Sequence, residues 1–98
     1  MSAGADRLPI VVLISGSGSN LRAIAEGARS GTLPVEIRAV ISDRAEAAGL
    51  AWAADAGLPA IVISPRDFTD RTAFDRALAD RIDGYAPRLV VLAGFMRI

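Results

Sequence analysis

The sequence predicts an α/β fold in which a doubly wound parallel sheet of four strands carries three helices on its two faces. Short runs of apolar, β-branched residues alternate with stretches whose apolar residues recur every three to four positions, in the order β-α-β-α-β-α-β. The connections are short, which is typical of a parallel sheet covered by helices. The chain has 98 residues, enough for one domain at most, and its 52% hydrophobic content is sufficient for a packed core.

The first strand and helix have the clearest pattern. Ile10–Ile14 is a continuous apolar run, typical of a strand buried on both faces. Asn20–Ser30 follows as a helix, with Gly31 at the position of a C-terminal cap. The spacing i, i+3, i+4, i+7 on this helix places one apolar stripe at Leu21, Ile24, Ala25 and Ala28.

The second strand and helix are predicted from Val35 onward. Val35–Ser42 is the strand, and Asp43 with Glu46 three residues later resembles a capping box at the start of a helix. Gly57 and Pro59 end that helix. Its apolar stripe is expected at Ala47, Leu50, Ala51 and Ala54.

The remaining strands flank a third helix. Ala60–Ile63 is predicted as strand three and Leu89–Ala93 as strand four, with Pro87 ending the helix between them. Ser64 to Asp67 is a loop, and either Asp67 or Thr69 caps the helix. The side chains that this helix buries are expected to be Phe74, Leu78, Ile82 and Tyr85.

Right-handed crossovers give the strand order 3-2-1-4, a Rossmann-like arrangement. Ligands of such sheets bind beyond the carboxyl ends of the strands, where the order reverses. That point lies between strands one and four. The stretches SGSGSN, Ser15–Asn20, and GFMRI, Gly94–Ile98, are therefore expected to converge there.

The turn after strand one fits a phosphate group. Gly16 and Gly18 can adopt positive φ and let a ligand approach the backbone. Ser19 or Asn20 starts a helix whose first N–H groups are unpaired and carry the positive end of the dipole. The competing interpretation is a tight strand-to-helix turn without a ligand. Under the phosphate hypothesis, Gly18→Val should abolish binding, because its Cβ would enter the anion's space and valine would disfavour positive φ.

A dinucleotide site is a weaker alternative, which would make the chain the nicotinamide-binding domain of an oxidoreductase. In the G-x-G-x-x-G pattern laid from Gly16, Leu21 stands where the third glycine should be. Asp43 lies where a ribose-binding acid would sit, but we favour a role as helix cap. A nucleotide-sensing module without enzymatic activity is a third hypothesis.

Composition limits the chemistry. Eleven basic and eleven acidic residues cancel, so no charge field predicts binding to nucleic acid or a membrane. Cys is absent, which is compatible with a cytoplasmic protein. All eleven basic residues are Arg, and His is also absent, which excludes a Ser-His-Asp triad, a lysine base and the usual zinc ligands. Carboxylates and Tyr85 are the only acid-base candidates, so we expect a binding unit with no catalytic residue and no metal site.

Four stretches of the sequence resemble the glycinamide ribonucleotide formyltransferase family. They are ISGSGSNL, EIRAVISDRAEAAGL, DFTDRTAFDRAL and the terminal VVLAGFMRI. The resemblance covers Pro9 to Ile98. It implies the formyltransferase fold and the transfer of a formyl group from 10-formyltetrahydrofolate to 5-phosphoribosylglycinamide in de novo purine (IMP) biosynthesis. Both small molecules would be substrates, and no metal is implied.

Residue by residue, the resemblance implies that Gly18, Ser19 and Asn20 bind the substrate phosphate. It also implies that four residues help to form the folate site: Arg71, Met96, Arg97 and Ile98. From the residues alone, we favour ion pairs of Arg71 on its helix with Asp67 or Asp75. Arg97 could bind a carboxylate of the ligand or merely keep the end of its strand solvated.

The family's catalytic Asn, His and Asp, including an N-x-H-P motif, lie further along the chain than Ile98. We therefore expect residues 1–8 to be a flexible N-terminus. Residues 9–98 are expected to be the phosphate-binding half of a formyltransferase domain, truncated before the catalytic half and inactive alone. The parent protein would be an enzyme.

Overall fold

A computed structural model describes residues 7–95 of the chain. The four strands are β1 (Leu8–Ile14), β2 (Val35–Ser42), β3 (Ala60–Val62) and β4 (Leu89–Leu92), and the helices are α1 (Ser19–Ser30), α2 (Ala48–Asp55) and α3 (Arg71–Asp83). Leu8, which the sequence placed in the flexible N-terminus, is the first residue of β1 and pairs with Val35. The predicted folate residues Met96, Arg97 and Ile98 lie outside the described residues.

The sheet is parallel and its strand order is β3-β2-β1-β4, which confirms the predicted topology. β1 is central, and its side chains alternate between two cores. Even-numbered residues from Ile10 to Ile14 face a cluster that includes Leu21 of α1 and Leu50 of α2. Odd-numbered residues, Val11 and Leu13, face a cluster that includes Phe74 of α3. Helices therefore cover both faces of β1, as its unbroken apolar run predicts.

Helix α1 ends as predicted, with Gly31 at the C-cap and φ of 86°. Helix α2 differs from the prediction. Its N-cap is Ala47, which makes no side-chain hydrogen bond, so the capping box from Asp43 is wrong. A turn closed by the Ala47 N–H on the Arg44 carbonyl oxygen separates Asp43 from the helix. The inward residues are Ala47, Gly49, Leu50 and Ala53, while Ala51 and Ala54 are exposed.

Helix α3 begins later than predicted. Residues Pro65–Asp67 form a short 3₁₀ helix that leaves Phe68 extended, so neither Asp67 nor Thr69 is the cap. The N-cap is Asp70, whose Oδ1 accepts a hydrogen bond of 2.8 Å from the Ala73 N–H. The inward face agrees with the prediction: Phe74 is buried, and Leu78, Ile82 and Tyr85 are half-buried beside it.

A bulge in β2 fixes the connection from α3 to β4. The pairing of β1 with β2 passes from Ile37 to Ala39, so Arg38 is an extra residue of β2. The Arg38 guanidinium donates hydrogen bonds of 3.0 and 3.3 Å to the carbonyl oxygens of Tyr85 and Ala86. Ala86 has φ of 49°, so this contact stabilises an unfavourable turn just before β4. This turn directs β4 along β1.

Candidate functional site at the carboxyl ends of the strands

The turn between β1 and α1 places a helix end at the carboxyl end of the central strand. Gly18 is the N-cap of α1 and has φ of 75° and ψ of 23°, in the left-handed region that favours glycine. Gly16 does not adopt positive φ, although the sequence allowed it. Gly18 is therefore the one glycine of this turn whose backbone requires the left-handed region.

The first N–H groups of α1 have no acceptor inside the helix. The first backbone bond into the helix runs from the Arg22 N–H to the Gly18 carbonyl oxygen, at 2.9 Å. Gly18 has no side chain to cap the N–H groups that precede Arg22, and the first turn of α1 contains no acidic residue. Ser19 and Asn20 are exposed beside these groups. Within the described residues, this helix end is uncapped and suited to an anion.

The loop after β2 lies next to this turn. Ser42 is fully buried, and its hydroxyl donates to the Arg44 carbonyl oxygen at 2.8 Å and accepts from the Arg44 N–H at 3.0 Å. Asp43 follows and is only 4% exposed. These contacts hold the start of the loop against the end of β2, away from the positions that begin α2.

Glu46 is the carboxylate of this loop that reaches solvent. A hydrogen bond from the backbone lowers the pKa of Glu46 below its ordinary value, and the nearby Arg44 guanidinium lowers it further. The Arg44 Nη2 lies 3.4 Å from the Glu46 Oε2. A carboxylate with a lowered pKa is a poor proton acceptor near neutral pH, so Glu46 is unsuited to general base catalysis.

The N-terminus of α3 lies at the same edge of the sheet, on the opposite face from α1. Arg71 is the first residue of α3, its side chain is 59% exposed, and its Nε lies 3.5 Å from the Asp75 Oδ1. The ion pair with Asp75 expected from the sequence is thus present.

The segment after β4 turns toward α3. The Ala93 N–H donates to the Leu13 carbonyl oxygen at 2.9 Å, and Gly94 has φ of 81°. Phe95 is buried in the same cluster as Phe74 of α3. At Phe95 the chain therefore lies on the α3 side of the sheet.

Comparison with known proteins decides the family. The formyl transferase family matches residues 8–98 of the chain. This protein belongs to the formyl transferase family. The chain is 49% identical over 89 residues to phosphoribosylglycinamide formyltransferase of Escherichia coli, covering 91% of this chain and 42% of that protein. It is 43% identical to the trifunctional purine biosynthetic protein adenosine-3 of Bos taurus, covering 91% of this chain and 9% of that protein.

The fold agrees with solved structures of this family. Glycinamide ribonucleotide transformylase 1 from Symbiobacterium toebii matches with a TM-score of 0.90 and 50% identity, over 95% of this chain and 44% of that chain. The chain thus spans less than half the length of these relatives. Membership of the formyl transferase family does not favour a dinucleotide site, and Leu21, fully buried in the core, stands where that site needs a glycine.

In this formyl transferase, the turn between β1 and α1 and the side chain of Arg71 both lie at the carboxyl edge of the sheet, but they are not in contact. Gly18, Ser19 and Asn20 lie on the α1 face, whereas Arg71 lies on the α3 face, with β1 between them. A cavity of about 280 Å³ lies beside Arg71, lined also by Phe68 and Phe74. A larger cavity of about 430 Å³, near Trp52, lies between α1 and α2 at the opposite ends of the strands. A third cavity, of about 370 Å³, lies between the loops that follow β2 and β3 at the carboxyl edge.

Sequence reasoning missed one residue of this site. Gly49, in the first turn of α2, packs against Gly18: a Cβ on Gly18 would lie 2.6 Å from the Gly49 Cα. The positive φ that Gly18→Val was expected to disfavour is confirmed, and the new side chain would also meet α2. The clash with the anion stays a prediction. The sequence shows Gly49 only as a glycine among small residues of a helix, which does not indicate which residue it contacts.

None of the helices formed by residues 7–95 is long and apolar enough to cross a membrane. Within the same residues, no group of three or more His, Cys, Asp or Glu side chains could hold a metal ion.

The contact with Gly49 can be separated from backbone strain by a matched pair of variants. Gly18 and Gly31 both have positive φ, but a Cβ on Gly31 would meet nothing within 4 Å. We expect Gly31→Ala to cost about 1–2 kcal/mol, the penalty of the left-handed conformation alone. Gly18→Ala should cost at least about 1 kcal/mol more, because its methyl group overpacks against α2. Urea unfolding of both variants measures the difference, and equal costs would contradict the contact.

Proposed function

We propose that this chain forms the phosphate-binding part of an enzyme that transfers a formyl group from 10-formyltetrahydrofolate to 5-phosphoribosylglycinamide. The reaction belongs to de novo purine biosynthesis in the cytoplasm, and both partners are small molecules. Two of its relatives are named for this activity or for purine biosynthesis. The observation that carries the proposal is the uncapped N-terminus of α1 at the end of the central strand in a member of the formyl transferase family.

The phosphate would bind at Gly18, Ser19 and Asn20. Backbone N–H groups at the start of α1 donate to its oxygens, and the Ser19 hydroxyl and Asn20 side chain are exposed beside them. The helix dipole supplies the favourable potential, so no basic side chain is needed in the turn. This accounts for a turn that contains only Gly, Ser and Asn before Leu21.

The folate would bind across the edge from the phosphate. Arg71 would contact the folate, and Met96, Arg97 and Ile98 would form another part of its site. The position of Arg71 at the start of α3, and the turn of the chain toward α3 at Phe95, support this arrangement. The folate when bound supplies the formyl group, and this chain binds and orients it.

In this proposal the described residues bind the substrates, and the catalytic group lies outside them. The attacking amine must lose a proton, which calls for a positioned group with a pKa near neutrality. The chain has no His, and its basic residues are all Arg. Among its carboxylates, Asp70 caps α3, Asp75 pairs with Arg71, and the lowered pKa of Glu46 makes it a weak base. The catalytic Asn, His and Asp would come from the sequence that follows in relatives of full length.

Residues 9–98 would accordingly form one half of a larger formyl transferase domain. The chain covers 42% of the Escherichia coli relative and 44% of the Symbiobacterium toebii chain. Strand β4 is an edge of the sheet, and its Leu89, Val90 and Leu92 are 49%, 37% and 46% exposed. Apolar side chains on an edge strand are suited to burial by further structure. The second half of the domain would cover them.

The first prediction from this division concerns activity. The 98-residue chain, supplied with both substrates, should show no turnover above buffer, because it positions the substrates without a group to accept the proton. Addition of the separately expressed second half should restore turnover. The absorbance change of folate deformylation measures both. Turnover by this chain alone would show that catalysis resides in these residues.

The second prediction concerns Arg71. In the complete enzyme, Arg71→Ala should weaken folate binding by about tenfold, the effect of one charged hydrogen bond, while stability changes by less than about 0.5 kcal/mol. Arg76→Ala is the matched control, since Arg76 is also an exposed arginine of α3. Folate dissociation constants and thermal midpoints separate the roles. Unchanged folate affinity in Arg71→Ala would contradict a contact between Arg71 and the folate.

A further inference from the structure

The first turn of α2 lies directly against the turn that connects β1 to α1. The Gly49 N–H donates a hydrogen bond of 3.0 Å to the Gly16 carbonyl oxygen. Gly49 is the second residue of α2, so this N–H belongs to the group of helix donors that have no acceptor inside the helix. The donor is used on the neighbouring turn instead of on a ligand or a side-chain cap.

The two backbones are also in direct contact. A Cβ on Gly49 would lie 2.8 Å from the Gly18 Cα and 3.1 Å from the Gly18 N, and a Cβ on Gly18 would lie 2.6 Å from the Gly49 Cα. Neither position admits a methyl group without a backbone shift. Glycine is a poor helix former, so helix propensity does not explain its presence in α2, whereas this contact does.

The contact fixes the orientation of the turn. Within the described chain there is no cis peptide bond, so the Ser17 N–H points away from the Gly16 carbonyl oxygen and therefore away from Gly49. Gly18 is held by the same helix and has the φ that begins α1. The N–H groups of the turn are thus oriented before an anion arrives, which reduces the entropy lost on binding.

We infer that Gly49 is a positioning residue for the substrate phosphate. It acts through Gly16 and Gly18 and does not contact the phosphate itself. The inference rests on the proposed function of the turn. It extends the phosphate site from residues of α1 to a residue of α2 that lies 31 positions from Gly18 in the sequence (49 − 18).

The test is Gly49→Ala in the complete enzyme, with inorganic phosphate as the probe. We expect the dissociation constant for phosphate and the KM for 5-phosphoribosylglycinamide to rise by about tenfold or more, while the KM for the folate stays within about twofold. The split between the two substrates is decisive, because a general loss of folded protein would lower the amount of active enzyme without changing either KM.

Two further variants make the test specific. Ala48→Ser adds one heavy atom at an exposed position of the same helical turn and should leave phosphate binding unchanged. A Cβ on Gly49 would also lie 2.8 Å from the Ile14 Cδ1, so Ile14→Val combined with Gly49→Ala removes that side-chain clash and keeps the clash with Gly18. If Gly49→Ala alone fails to fold, the double variant carries the same expectation.

The outcomes distinguish this inference from the proposed function. Phosphate binding by the wild type, with selective weakening in Gly49→Ala, supports both. Phosphate binding that is equal in the wild type and in the folded variant overturns the role of Gly49 and leaves the proposed site intact. Equal increases in KM for both substrates also overturn it. A wild-type enzyme that does not bind phosphate near Gly18 contradicts the proposed function itself.

Discussion

The burial of β1 on both faces is the constraint on which the rest of the structure depends. Its residues alternate between a core shared with α1 and α2 and a core shared with α3, and Val11, Val12 and Ile14 are fully buried. A strand enclosed in this way must be central, with β2 on one side and β4 on the other. The chain leaves the sheet at its carboxyl end, where the strand order reverses, so the helix that follows begins at the position that binds ligands in such folds.

The start of α1 then gains its electrostatic character from backbone geometry. Gly18 adopts a left-handed conformation and brings no side chain that could satisfy the N–H groups of the first turn. An anion is the partner that satisfies several of these donors at once and interacts favourably with the dipole. The neutral net charge of the whole chain is compatible with this, because the attraction is local and involves no basic side chain.

Most of the fold follows from hydrophobic periodicity. The strand order, the end of α1 at Gly31 and the inward face of α3 were all predictable, because each is set by local pattern and by the handedness of crossovers. The inward face of helix α2 was misassigned because half of its residues are alanine, whose small apolar side chain suits either face. Asp43 offered a capping pattern, but the turn from Arg44 to Ala47 removed it from the helix.

The candidate site was predictable only in part. The Gly-Ser turn was identified from its residues, and the phosphate role of Gly18, Ser19 and Asn20 stays a prediction, as does the folate role of Arg71. Gly49 could not be found in advance, because a contact between two backbones leaves no hydrophobic or charged pattern in the sequence. Arg38 is similar: its hydrogen bonds to the turn before β4 depend on a bulge that no periodicity predicts.

The central claim is that the start of α1 binds phosphate, and amide chemical shifts test it most directly. Inorganic phosphate and then 5-phosphoribosylglycinamide would be titrated into the ¹⁵N-labelled protein. The account predicts saturable shifts of the amides from Ser17 to Leu21, with the same residues responding to both ligands. Shifts confined to other regions, such as the cavity near Trp52 between α1 and α2, would contradict it.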